Sequence, residues 1–344
     1  MVLDTDMGVD DAAALAWMVS QSGYPIRLLG VGTVWGNTTA EQAAQNATAL
    51  LRILGHSHIP VAIGATEPIK RAGTSLGAFL HGVDGLWGCT PGQWAVPDCR
   101  VRDLYAAAVE HDDVILVTTG PLTNLARLLT EDSGILHAFR EIIVLGGARY
   151  GGSITPVAEA NFWHDPEAAD RVLSAGLPIT LILRDAHTAF QLDERDLVKI
   201  QQSSTPAAAF LAQPLTRFAA AQASVGRSFH CPDVVAAVCA ADPSMILNAH
   251  HGLVRVVVDS YHLARGQTVI GFTPQEKISL LKDAAALNEL ATTYLMDPEF
   301  NFGEQFNSLS SGSANNAKVV LCVDAARIKS EFMFTMRQVS DELC

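Results

Sequence analysis

The feature that most limits what this chain can become is a run such as Ile142-Ile143-Val144-Leu145, apolar throughout with no polar alternation. A strand with one wet face alternates. A strand apolar at every position is buried on both faces, as in a parallel sheet covered by helices. Further strands are read at Val2–Asp4, Ile26–Val34, Val61–Gly64, Val114–Thr118, Ile179–Leu183 and Val254–Val258. Helical patterns lie between and after them, at Asp11–Ser22, Ala40–Leu54, Asp103–His111, Pro121–Leu129, Pro166–Ala175, Pro206–Ala223, Val234–Ala241, Glu276–Leu295 and Ala325–Arg337. This order predicts βαβ units, hence an α/β fold with an open, mostly parallel, Rossmann-like sheet flanked by helices. Such sheets bind ligands at the carboxyl ends of their strands. No shift in composition divides the 344 residues, so one domain over 1–344 is expected. The stretches 84–97 and 307–316 read as surface loops.

Charge narrows the possible partners. With 23 Lys and Arg against 36 Asp and Glu, the net charge of −13 argues against nucleic acid and leaves an uncharged small ligand open. No apolar run reaches the ~18 residues of a membrane span, so no membrane partner is expected. No basic-then-apolar leader opens the chain. Six cysteines without a CxxC pair fit free thiols, and a cytoplasmic location is expected.

The chemistry gathers in the opening Asp4-Thr5-Asp6-Met7-Gly8-Val9-Asp10-Asp11. Asp4 and Asp6 share a side if the strand continues. Gly8 permits a sharp turn, and Asp10 and Asp11 then open a helix, where a carboxylate meets the positive end of the dipole. One or two carboxylates there need be no more than helix caps. Four converging ones repel, by about 4 kcal/mol per pair at 4 Å and an effective dielectric of 20. A site that gathers them holds a cation or a proton, and all-oxygen ligands suit hard Ca²⁺ or Mg²⁺.

Other segments fall near the same crevice. Thr119, in Thr118-Thr119-Gly120-Pro121, follows a strand and can offer its carbonyl; the competing reading is an ordinary strand–turn–helix. Glu159 and Asn161 share a side if extended and offer acceptors and a donor for sugar hydroxyls, unless the loop is stitched by its own side chains. Asp233 opens the apolar helix after Cys231-Pro232, where a lone carboxylate is usually a cap.

Together these segments resemble the inosine–uridine-preferring nucleoside hydrolase family. The opening matches its DxDxGxDD signature. Gly36-Asn37, His81-Gly82 with Asp84-Gly85-Leu86, Thr119–Asn124, Thr155–Glu159 with Asn161, Asp233, Arg265–Val269 and the late strand Lys318–Val323 recur in family order, over nearly the whole chain. The resemblance implies calcium-dependent hydrolysis of the N-glycosidic bond of purine or pyrimidine ribonucleosides. Ca²⁺ would be held by Asp6, Asp11, Asp233 and the carbonyl of Thr119, with Asp10 as general base. Asn37, Glu159 and Asn161 would hold the ribose, with Asp4 supporting the metal site and His81 near the base. It also implies a homodimer or homotetramer.

Three positions depart from the pattern. Ser153 stands where an Asn usually meets the sugar's far hydroxyl, and Leu145 replaces a frequent Met beneath the ribose. Pro232 stands where relatives carry a His acid or a Trp, leaving His230 and Cys231 as the nearest protonatable side chains. Two other functions compete. A Mg²⁺-dependent phosphohydrolase would use Asp4 as nucleophile, yet no well-placed Lys is evident and Asp10-Asp11 go unexplained. A non-catalytic nucleoside-binding protein would account for the missing acid.

Overall fold

The computed structural model describes residues 1–70, 77–90, 92, 94, 99–259, 263–280, 284–297, 301, 303–304 and 315–337. Its strands are β1 (Val2–Thr5), β2 (Gly30–Thr33), β3 (Val61–Ile63), β4 (Ile115–Thr118), β5 (Glu141–Leu145), β6 (Ile179–Ile182), β7 (Ile246–Val256), β8 (Thr268–Gly271) and β9 (Ala317–Val323). They form one sheet in the order β3-β2-β1-β4-β5-β6-β9-β7-β8. The strands from β3 through β9 in that order are parallel; β7 pairs antiparallel with β9, and β8 with β7.

The lack of alternation has the expected cause, because each face of the sheet carries its own core. Leu3, Val117 and Ile143 point into one core and Val2, Leu116 and Ile142 into the other. From β1 the chain winds outward through β2 and β3, and from β4 it winds the other way through β5 and β6. The loops leaving β1 and β4 therefore part from each other and open a crevice between them.

Helix Val9–Ser20 is buried on all sides from Val9 to Met18. A helix apolar all round belongs in a core. Its Ala12-Ala13-Ala14 stretch lies in the same apolar cluster as Ala236 and Ala237 of helix Pro232–Ala241. Small side chains let two helices approach, and this approach sets Asp233 opposite Asp10 and Asp11.

Several boundaries differ from the sequence reading. The strand expected from Ile26 starts at Gly30, whereas β7 begins at Ile246, well before Val254. The first half of β7 carries the exposed polar residues Asn248, His250 and His251 and a register shift, so its apolar signal is weak. β8, not anticipated as a strand, follows Arg265-Gly266-Gln267. The expected helix Glu276–Leu295 is present as Pro274–Leu280 and Ala284–Met296. Helices Gly77–His81, Ala160–His164 and Arg184–His187 are too short for a periodic pattern to reveal. Most of the expected loop at 307–316 lies outside the described residues.

A buried ion pair ties the site's frame together. Arg265 Nη1 and Nη2 donate to Glu167 Oε1 and Oε2 at 2.9 and 2.7 Å, and Nη1 also donates to the Val258 carbonyl. The neighbouring Gln267 bridges to Ala158, next to Glu159. Burial pushes the Glu167 carboxyl up, but the Arg265 hydrogen bonds and charge outweigh it and hold it below its ordinary range. Arg265→Ala strands a buried carboxylate and should cost about 3–5 kcal/mol in urea unfolding at neutral pH. A depressed carboxylate contributes stability above its unfolded pKa, and loses it as pH falls through the folded value. The gap between wild type and variant should therefore narrow toward acid pH. A constant gap would mean that packing, not charge, carries the effect.

Candidate active site

The chain leaves β1 at Thr5, turns through Met7 at φ 44°, and enters the next helix at Val9. The turn is crowded. A Cβ on Gly8 would lie 2.5 Å from both Asn37 Nδ2 and His81 Nδ1, and one on Gly36 would lie 2.0 Å from Asp6 Oδ2. Only glycine lets these segments close around the acids.

Asp11 caps its own helix by accepting from Gly8 N at 2.8 Å. It also accepts from the hydroxyls of Thr5 and Thr119 at 2.6 and 2.7 Å and from Asn37 Nδ2 at 3.1 Å. Capping and site building are thus one act, since these donors come from three segments. Asp6 accepts from Asn37 N and Nδ2 at 2.8 and 3.0 Å. Asp10, Asp11 and Asp233 are all buried and offer oxygens within 4.8 Å of one another. Asp6 lies outside that trio but is near enough for its charge to act on Asp233 and to feel Asp11. Burial first, and then mutual repulsion, raises the carboxyls of Asp6, Asp10 and Asp233 well above the ordinary range.

Asp4 does not share a side with Asp6, because the strand ends between them. It is sealed beneath the site, bonded by the Tyr105 hydroxyl and by Asn124 Nδ2 at 2.7 Å. Burial raises its carboxyl to about 7 against those two hydrogen bonds. It is fully buried and absent from the cavity wall, which leaves it no line of attack as a nucleophile.

Above the acids lies an open-mouthed cavity lined by Asp10, Asn37, His81, Thr119, Glu159, Asn161 and Asp233 among others. A concave site with a few convergent polar groups is the usual form of a small-molecule site. Asn161 spends both amide hydrogens on the carbonyls of Thr119 and Leu145, at 2.8 and 3.0 Å, so its oxygen is what it can offer a ligand. Asn37 is likewise left with its oxygen. Glu159 caps helix Ala160–His164 through Asn161 N and Phe162 N and also accepts from Gly147 N. His81 Nδ1 accepts from Val9 N at 3.0 Å, and the ring lies 4.8 Å from that of Phe218. Burial drives the His81 pKa down to about 4, so the ring is neutral and presents Nε2–H.

Arg184, His187, Arg227 and His164 also line the cavity and were not singled out from the sequence. Arg184 and His187 follow β6 directly, so their signal was position at a strand's carboxyl end. Arg227 donates to the Ser153 carbonyl and draws Ser153 into the wall. His164, one helical turn after Asn161, bonds the Ala160 carbonyl through Nδ1 at 2.7 Å, and its buried Nε2 has no partner. His230 also lines the cavity, its ring stacked on His187 at 6.0 Å, whereas Cys231 is fully buried in the core.

Comparison with known proteins agrees with this geometry. A pyrimidine-specific ribonucleoside hydrolase RihA from a Shewanella species is 34% identical over 319 residues, covering 86% of this chain and 98% of its own. Uridine nucleosidase 1 of Arabidopsis thaliana is 34% identical over 210 residues, and the match spans only 60% of that protein's length. Among solved structures, a plant nucleoside hydrolase superposes with a TM-score of 0.80 at 25% identity, covering 98% of both chains. A purine-preferring ribonucleoside hydrolase from Gardnerella vaginalis gives 0.78 at 25% identity over 97% of both. Residues 1–330 match the family described as inosine-uridine preferring nucleoside hydrolase, and the chain belongs to that family.

Proposed function

We propose that this chain hydrolyses the N-glycosidic bond of ribonucleosides to ribose and free base, with calcium as its metal. The observation that carries the reading is Asp10. Its Oδ1 is buried, has no hydrogen-bond partner, and sits on the cavity wall beside Asp11 and Asp233. An orphaned carboxylate oxygen in an acid cluster is costly unless a cation or a substrate proton uses it. The donor set fits a hard cation, because it consists of oxygens alone. Asp6, Asp11, Asp233 and the Thr119 carbonyl would hold it. Bound there, the ion would polarise and orient the attacking water and the sugar hydroxyls.

The chain's own groups do the rest. Asp10 takes the proton from the water as the bond to the base breaks. The acidic wall favours the positive charge that builds on the ribose. The amide oxygens of Asn37 and Asn161 and the carboxylate of Glu159 accept from ribose hydroxyls. A site so built leaves its own polar groups unpaired when a hydroxyl is missing. 2′-Deoxyuridine should therefore be a much poorer substrate than uridine; equal efficiency would remove the claim of ribose recognition.

Uridine is the first substrate to test, since the curated relatives named above act on uridine or pyrimidine nucleosides. Base release over a panel of purine and pyrimidine ribonucleosides, with and without a chelator restored by calcium, tests the whole reading. Phosphate release from phosphomonoesters would favour the phosphohydrolase instead. Tight binding without base release would favour a binding protein. A cytoplasmic homodimer or homotetramer is part of the same reading. Gel filtration tests the assembly.

A further inference from the structure

We propose that Arg184 and Arg227 form the leaving-group site, stabilising the departing base as an anion so that no general acid is needed. The proposal rests on the nucleoside-hydrolysis reading and names the group that acts at the base.

The neighbouring residues supply no acid. Pro232 has no proton to give, and Cys231 is buried away from the cavity wall. His230 lines the wall, but its Nδ1 is engaged by the Ser228 carbonyl at 2.8 Å, which places the hydrogen there and leaves Nε2 as a lone pair. His187, stacked on it with an interplanar angle of 24°, has an unpartnered Nδ1. Burial lowers both rings' pKa values, and Arg184 presses both further down. Neutral imidazoles can hydrogen-bond but carry no acidic proton.

The same wall holds two cations. Arg227 donates to the Ser153 carbonyl. Arg184 bonds the Gly147 carbonyl through its backbone N–H at 2.9 Å, and its guanidinium makes no hydrogen bond or ion pair among the described residues. Arg184 lines the same cavity as Glu159, His187, Arg227 and His230, and its charge acts on all four. Two guanidiniums lining one cavity, neither with a carboxylate partner among the described residues, favour an anionic group there. Fixed positive charge aimed at developing negative charge is the strongest single device an active site has.

The step balances without an acid. The water oxygen bonds to C1′ while its proton passes to Asp10. The C1′–N bond breaks and its electron pair stays on the base nitrogen. The base leaves as an anion facing the guanidiniums and takes a proton from solvent afterwards. Bases that spread negative charge over a lactam ring, as uracil does, suit this site. Bases that must be protonated on the ring before they leave do not.

The test is kcat/KM for wild type, Arg184→Gln and Arg184→Lys on uridine, 5-fluorouridine and p-nitrophenyl β-D-ribofuranoside. Arg184→Gln should slow uridine by about 10²-fold, the scale for losing one such stabilising group. The loss should shrink as the leaving group becomes more acidic, which steepens the dependence on leaving-group pKa. Arg184→Lys should recover part of it. An equal loss on all three substrates would make Arg184 a binding or folding residue and overturn the proposal. So would a His230→Ala variant that selectively slows uridine while Arg184→Gln does not. Uridine 5′-monophosphate is the control for the other anion. If wild type prefers it to uridine and Arg184→Gln removes only that preference, the pair reads a phosphate. If wild type releases base from none of the ribosides, the hydrolase reading itself fails and takes this one with it.

Discussion

Asp10→Asn is expected to lower uridine turnover by about 10²–10⁴-fold, the range for loss of a general base, while leaving fold and metal content intact. Asn keeps the shape but cannot accept the water's proton. In this reading its acidic neighbours Asp6, Asp11 and Asp233 are committed to the ion. Asp11 already accepts from four donors, and Asp6 has both oxygens on Asn37. His81 Nδ1 lies 3.6 Å from Asp10 Oδ1 but is itself taken by Val9 N. Near-normal turnover in this variant would mean that another group activates the water. The pH dependence carries a sign. Burial first, then the Asp11 charge, raises the Asp10 carboxyl, so the base is protonated and idle below its folded pKa and activity rises with pH through it. A cation beside Asp10 favours the ionised form. The acid limb of the kcat–pH profile should therefore move to lower pH as calcium is raised; a limb that stays put would separate Asp10 from the ion.

How much of this was legible in the sequence depends on how local the signal is. Unbroken apolar runs such as Ile142–Leu145 disclosed a doubly covered sheet, because a strand's own residues report its burial. Asp10, Asp11, Glu159, Asn161 and Asp233 were legible because each stands where a strand or helix ends toward the crevice, Asn37 only through the family resemblance, and the structure sets all but Asp11 on one cavity wall. Asp4 was placed by its neighbour and not by its partners. Tyr105 and Asn124, which seal it off, lie more than a hundred residues away, and no spacing reveals them. Glu159 meets both of its readings, as a cap for a helix too short to foresee and as a cavity carboxylate. Arg184 and His187 carry no motif. Their meaning comes from β6 ending beside β5 and from helix Pro206–Ser224 leading to Arg227 at the same cavity, and that is tertiary information. The half-polar start of β7 hid for a related reason, since a strand near the sheet's edge has a wet face and loses the apolar signature.

Asp233→Asn should abolish calcium binding and activity, and should also make the protein more stable than wild type in chelator. Burial is the first cause of the raised Asp233 carboxyl, followed by the charges of Asp10, Asp11 and Asp6. A carboxyl raised on folding adds stability below its unfolded pKa and loses it as pH rises through the folded value. At neutral pH without an ion the cluster therefore opposes folding, and Asn removes one of its charges. Calcium reverses the order. A ligand bound only by the folded state stabilises it by RT ln(1 + [L]/Kd), about 2.7 kcal/mol at a hundred times Kd. Wild type gains that amount and the variant does not. Urea midpoints of both proteins in chelator and in saturating calcium decide the matter. A crossing, with the variant higher in chelator and lower in calcium, fits Asp233 as a ligand. A variant weaker by the same margin in both would make Asp233 a cap for helix Pro232–Ala241 and nothing more.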